Sequence, residues 1–154
     1  MSMNTAATLA PALRIGANRD EIAAALGEPQ DIGVGLRGVT ILAYRERTIQ
    51  CTLRRGEGLF LLAFYFHPEK GTEWPLCLAA LGDFSSDTTP GEVEDWLDQR
   101  EITSLRMSVC DEVVIEASDG VRFHFESELL SSIQMISLAP SSGSTPHVNP
   151  RGLL

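Results

Sequence analysis

Three histidines, three cysteines and 21 aspartates and glutamates are the side chains of this 154-residue sequence that could do acid–base, nucleophilic or metal chemistry. Their spacing assembles none of these. His67 precedes Pro68, His124 stands beside Glu126 in an alternating run, and His147 lies in a Pro/Ser-rich tail. No two are four residues apart, as paired ligands on one helix would be, and none has a neighbouring cysteine, so no metal site is expected. Cys51 and Cys110 fall in strand-like runs, where a thiol packs as a small apolar group. An odd number of cysteines at wide spacing, with Cys77 the third, is neither a disulfide framework nor a zinc knuckle. No serine sits in a strand-turn-helix elbow. One acid–base pairing is open across a sheet, His124 with Glu112, Glu116 or Glu126. A surface contact is the default for it, and no catalytic residue is assigned.

Gly33-Val34-Gly35-Leu36-Arg37-Gly38 has the spacing of a dinucleotide loop. That chemistry needs a strand before the loop and a helix after it, so that the helix N-terminus faces the pyrophosphate. Here the order is reversed: a terminated helix precedes and a strand follows. A flexible loop at a sheet edge is expected instead, and no cofactor.

Charge is the more informative signal. The net charge is -9, yet Met1 to Cys77 carries eight Lys/Arg against eight Asp/Glu, whereas Leu78 to Leu154 carries four against thirteen. Such a field repels nucleic acid and anionic lipid and speeds encounter with a basic protein. Asp95, Asp98, Glu112 and Glu116 are the carboxylates expected on that partner-binding face. Aromatic anchors carry more interface energy than carboxylates, and Trp74, Phe84 and Tyr65 are expected as exposed anchors, with Trp96 in the core. No apolar run approaches the ~18 residues of a membrane helix. No Lys or Arg precedes the mildly apolar start, so no secretory signal is read and the cytoplasm is expected.

The elements that position these groups follow from capping and alternation. Asn18-Arg19-Asp20-Glu21 is a capping box opening a helix with Ile22, Ala25 and Leu26 on one face, which Gly27 and Pro29 end. Thr89-Pro90-Gly91-Glu92 opens a second, with Val93, Trp96 and Leu97 inward. A constant offset of 71 residues aligns Asn18 with Thr89, Glu21 with Glu92, Ile22 with Val93 and Leu26 with Leu97, which indicates an internal repeat. Strand-like runs follow each helix: 39–45, 48–54 and 59–66 after the first; 105–110, 112–118, 121–126 and 132–138 after the second. The expectation is an α+β fold of two tandem helix-then-antiparallel-meander units, 14–82 and 83–139, with a flexible leader (1–13) and a flexible tail (140–154). Leu59 to Phe66 is apolar on both faces, so its second side needs cover: a loop opposite the helix layer is the default for such a central strand, and the other unit or another chain is the alternative. The apolar patch Leu76 to Leu81 is expected to line the junction or to form an extra helical turn.

The segment from Ile15-Gly16-Ala17-Asn18 through Leu26-Gly27-Glu28-Pro29, with the tandem helix-meander plan behind it, resembles the half-unit of the beta-lactamase-inhibitor-like fold. Similar openings occur among bacterial immunity proteins. The resemblance implies a non-catalytic inhibitor that binds and neutralises a protein toxin. It transfers no functional residue, because inhibitors of this shape bind through different surfaces. A subunit that homodimerises through the strand at 59–66 is the alternative.

Overall fold

The computed structural model describes residues 5–67 and 74–136. The tail expected at 140–154, His147, Pro68 and the end of the last strand-like run lie outside the described residues. Within them the chain is α+β. A single antiparallel sheet of eight strands, in the order β1-β2-β3-β4-β8-β7-β6-β5, carries a layer of short helices.

The first unit runs α1 (Thr5–Leu9), α2 (Arg19–Leu26), β1 (Asp31–Val34), β2 (Val39–Tyr44), β3 (Ile49–Arg54) and β4 (Gly58–Tyr65). The second runs α3 (Pro90–Gln99), β5 (Ser104–Val109), β6 (Glu112–Ala117), β7 (Arg122–Glu126) and β8 (Leu129–Ile136). Both capping boxes form: Glu21 N–H donates to Asn18 Oδ1 at 2.8 Å and Asn18 N–H to Glu21 Oε1 at 2.9 Å, while Glu92 N–H donates to Thr89 Oγ1 at 3.3 Å and Thr89 N–H to Glu92 Oε1 at 2.9 Å. Each satisfies two amides that the start of a helix leaves without partners.

The repeat extends through the sheet. The 71-residue offset carries β4 onto β8 end to end. Each hairpin of the second unit is one residue shorter, so inward Cys51 matches Phe123 at 72 and inward Leu42 matches Ile115 at 73. A β-bulge recurs as well, because Phe60 in β4 and Ser131 in β8 are both skipped by their partner strands. The last strands of the units then pair: Leu62 with Met135, Ala63 with Gln134, Phe64 with Ile133. Under the offset, Met135 corresponds to Phe64 and Ile133 to Leu62. The pairs are thus the same contact with roles exchanged, and the register is that of a local two-fold at Ala63/Gln134.

One sheet face builds the core. Leu42, Ile49, Cys51, Leu62 and Phe64 meet Ile115, Phe123, Phe125, Ile133 and Met135, covered by Ile22, Val93, Leu97 and the 3-10 turns at Leu76–Asp83. That apolar segment forms the extra helical turns expected of it. Trp96 packs on Phe84 with ring centroids 5.1 Å apart, donates from Nε1 to Asp83 Oδ2 at 3.0 Å, and lies under the Arg100 guanidinium at 3.8 Å.

Three expectations need correction. The stretch read as a loose leader contributes α1, and Leu9, Ala10 and Leu13 are buried in the core. Asp119, in the β6–β7 turn, accepts from the Thr5 and Ala6 amides and so fixes α1 to the second unit. The glycine-rich stretch 33–38 is only partly a loop: Gly33 and Val34 belong to an edge strand in which Asp31 to Val34 pair with Ala43 to Thr40, while Gly35 leads into a 3-10 turn at Leu36–Gly38. Finally, β8 begins at Leu129, because Ser127 and Glu128 form a two-residue turn with φ of 52° and 64°.

The first unit is tied to its own sheet by Gly16 N–H to Leu59 O at 2.7 Å and Leu59 N–H to Ala17 O at 2.9 Å. Gly58, at φ +76°, makes this approach possible, since a Cβ there would lie 2.6 Å from Gly16 O. Gly58→Ala is expected to lower unfolding free energy by about 2 kcal/mol or more, left-handed strain plus a backbone clash. Gly56→Ala, at φ +80° with nothing within 4 Å, carries the strain alone and is expected to cost about 1 kcal/mol. Urea denaturation of the two variants checks the difference.

Candidate functional site

Every described helix packs on the core face, and the alternating residues of the eight strands make a second face that none of them crosses. In register across the sheet, one row reads Asp31, Ala43, Gln50, Ala63, Gln134, Arg122, Glu116, Leu105. A second row reads Tyr65, Ser132, His124, Val114, Met107, and a third Leu129, Glu126, Glu112, Val109. On the first unit this face is largely apolar, with Ile41, Thr52 and Leu61 leading to Ile136. On the second, charged and polar residues (Glu112, Glu116, Arg122, His124, Glu126) alternate with apolar ones such as Leu105, Met107 and Val114, and the face ends in an acidic margin.

That margin is electrostatically unfinished. Glu112 and Glu126 are direct cross-strand partners, an arrangement of like charges that destabilises a sheet. Asp111 and Glu128 stand exposed in the turns beside them; none of the four makes a close ion pair among the described residues, although the charge of Arg106 acts on Glu128 at longer range. Val109 and Leu129 flank the row, 55% and 41% exposed. A cleft of about 430 Å3 opens next to it, lined by Tyr65, His67, Asp87, Glu126, Leu129 and Ser132 among others. Deeper in the face, Arg122 Nε lies 3.7 Å from Glu116 Oε2. Burial, followed by the charge of Arg122, holds the His124 imidazole below its ordinary titration range against the opposing pull of Glu112, and burial pushes the Tyr65 phenol up.

The residues singled out from sequence divide between surfaces. Glu112 and Glu116 lie on the second face. Asp95 and Asp98 are exposed on α3, with the sheet between them and Glu116. Trp74 is half-buried, its ring edge-on to Phe64 and Phe66 at 6.0 and 5.5 Å. Phe84 is not an exposed anchor. It is 6% exposed, wedged between Trp96 and Phe123 at 5.1 and 5.7 Å, because the 3-10 turns before it deliver its ring into the core. Tyr65 and His124 do reach the second face. Sequence reasoning missed Glu126, Glu128, Val109 and Leu129 as a group. The turn that juxtaposes them uses Ser127-Glu128 rather than the glycine or asparagine that normally marks such a hairpin.

The cysteines are separate. Cys51 is fully buried, and that burial pushes its thiol up to about 12. Cys77 Sγ donates weakly to Ala25 O at 3.5 Å, and Cys110 is exposed in the β5–β6 turn. Among the described residues, no group of three His, Cys, Asp or Glu side chains is placed to hold a metal ion, and no helix is long and apolar enough to cross a membrane.

No protein-family model matches this sequence, and none of the curated proteins matches it. A crystal structure of an extracellular protein containing an SCP domain, from Bacillus anthracis str. Ames, superposes on 89% of this chain at a TM-score of 0.47 and 11% sequence identity. The chain spans 48% of that structure's length.

Because the folded imidazole of His124 titrates below its reference value of 6.5, the unfolded chain takes up the proton first as pH falls. The stabilisation from a neutral His124 is therefore complete above 6.5 and is lost as pH drops from there toward the lower folded value. His124→Gln is expected to flatten the fall in urea midpoint between about pH 7 and pH 5.5. Parallel curves for the two proteins would show that His124 ionises as it does in water.

Proposed function

We propose that this chain is a non-catalytic protein-binding module of the immunity type, which neutralises a basic protein toxin by occupying it. The observation that carries the proposal is the acidic margin of the second face, Glu112 opposite Glu126 with Asp111 and Glu128 alongside. Most carboxylates nearby are spent within the fold. Glu94 is held by Arg106 at 2.7 Å, Glu116 faces Arg122, Asp119 anchors α1 and Glu92 closes a capping box. The facing pair Glu112 and Glu126 carries a standing repulsion that a cationic partner would relieve. Val109, Leu129 and Tyr65 supply apolar contact beside it, which is where most interface energy resides, while the charges set encounter rate and specificity. The net charge of -9 extends the same field outward. The three free cysteines fit a reducing compartment, and the cytoplasm of the producing cell is the proposed location.

A self-associating subunit is the second reading, and the sheet order restricts it. Both edges of β4 are occupied, by β3 and β8, so a dimer joined through Leu59 to Phe66 must use the second-face residues Leu61, Ala63 and Tyr65.

Tagged protein is incubated with lysate of the native cell at low salt and eluted with rising salt. A basic protein released over a narrow salt range is expected; recovery of the chain alone favours self-association instead. Glu112→Lys with Glu126→Lys is then expected to slow association with the captured protein by about tenfold or more and to abolish its salt dependence. Glu126→Gln, which removes the facing like charge, is expected to stabilise the free protein by about 0.2–1 kcal/mol while weakening the complex. An unchanged association rate in the double-lysine variant would place the partner on another surface.

A further inference from the structure

A cleft of about 690 Å3 opens at the far end of the first unit, within the size range of small-ligand sites. Four stretches distant in sequence form it: Gly16 to Arg19 at the start of α2, Val34 to Gly38 at the turn after β1, the beginning of β2, and Leu53 to Gly58 across the β3–β4 turn. Its charged lining is Arg19, Arg54 and Arg55 against the single acid Glu57. In a chain of net charge -9, a concave site with three guanidinium groups runs against the overall balance.

The three arginines are not equivalent. Arg54 is committed, with Nη1 3.6 Å from Glu57 Oε1 and its guanidinium 4.3 Å above the Phe60 ring. Arg19 and Arg55 form no ion pair with a carboxylate among the described residues; outside the cleft Arg14 and Arg47 are paired, with Glu21 and Asp31, while Arg37 and Arg45 are not, so it is the concave placement of Arg19 and Arg55 together that sets them apart. Two unneutralised guanidinium groups on one concavity call for an anion. Their planar forks match the oxygens of a phosphoryl group bidentately. Exposed glycines at 35 and 56 and half-buried Gly38 leave parts of the lining without side chains, while Gly58 is closed on the Gly16 carbonyl. The wall is held in place by the Gly16–Leu59 and Leu59–Ala17 backbone bonds and by Arg55 N–H to Gly38 O at 3.0 Å.

We infer that this cleft binds a small phosphorylated molecule, with Arg19 and Arg55 clasping its phosphoryl oxygens and Arg54 in reserve behind Glu57. The site is independent of the acidic margin, since it is built by the first unit alone. It also differs from a dinucleotide loop. Gly33 lies in β1, and no helix follows Gly38, so guanidinium groups rather than a helix dipole supply the positive charge.

Isothermal calorimetry of the full chain with pyrophosphate, ADP and citrate, each in about 0.15 M salt, tests the inference. Saturable binding of pyrophosphate or ADP with a Kd of about 1 mM or tighter is expected, with citrate at least tenfold weaker. ADP tighter than pyrophosphate would mean that the organic part also sits in the cleft; equal affinities would mean that the phosphoryl groups alone are recognised. Arg19→Gln with Arg55→Gln, both exposed positions, is expected to weaken binding at least tenfold. Glu57→Gln, which frees Arg54, is expected to tighten binding severalfold and serves on its own if the double variant fails to fold. No saturable binding, equal affinity for citrate, or affinities unmoved by these substitutions would overturn the inference.

Discussion

The five backbone register pairs between β4 and β8 are the constraint on which the rest of this structure depends. They convert two four-stranded meanders into one sheet, and in doing so bury one of the two edges that each meander would otherwise expose, leaving β1 and β5 as the outer edges. Because β4 and β8 are equivalent strands of a repeat, their antiparallel pairing imposes a two-fold register and sets the helices of both units on the same face. The core then becomes continuous across the seam, from Leu42 and Cys51 to Phe123 and Ile115. A strand apolar on both sides, Leu59 to Tyr65, is what the centre of such a sheet requires.

Symmetry of backbone has not been matched by symmetry of side chains. On the second face, Thr52 corresponds to His124, Gln50 to Arg122 and Ala43 to Glu116, so the first unit presents small and neutral groups where the second presents charge. Part of the positive charge in the first unit, Arg19, Arg54 and Arg55, lies around the glycine-rich turns. The chain thus carries two chemically opposite regions on one scaffold, an acidic margin and an arginine-lined cleft. Neither disturbs the shared core.

How far this was legible in the sequence differs between elements for physical reasons. Helices α2 and α3 were legible because their capping boxes are local chemistry, complete within four residues. The offset of 71 followed from them and extends to strand pairing and even to the bulge. Strand β1 was not legible: four residues with a central glycine have almost no intrinsic signal, and their strand character comes from pairing with β2. Helix α1 was hidden for a similar reason, since its anchor is Asp119, more than a hundred residues away. The acidic margin escaped because sequence placed Glu112 on the right face but did not bring Glu126 opposite it. The split of charge between the halves pointed to the unit that carries the margin, whereas Asp95 and Asp98 lie on another surface.

The position of the seam also orders events in time. Within each meander, partners are neighbours in sequence and their hairpins close quickly, but β4 and β8 can meet only after the intervening chain of some 60 residues has been brought round. Until then, the apolar edge of β4 stands open on a nascent chain emerging from the ribosome, with half the sheet assembled and no second half to receive it. That interval is when the protein is most exposed to aggregation, and its length is set by the synthesis and collapse of the second unit rather than by anything in the first.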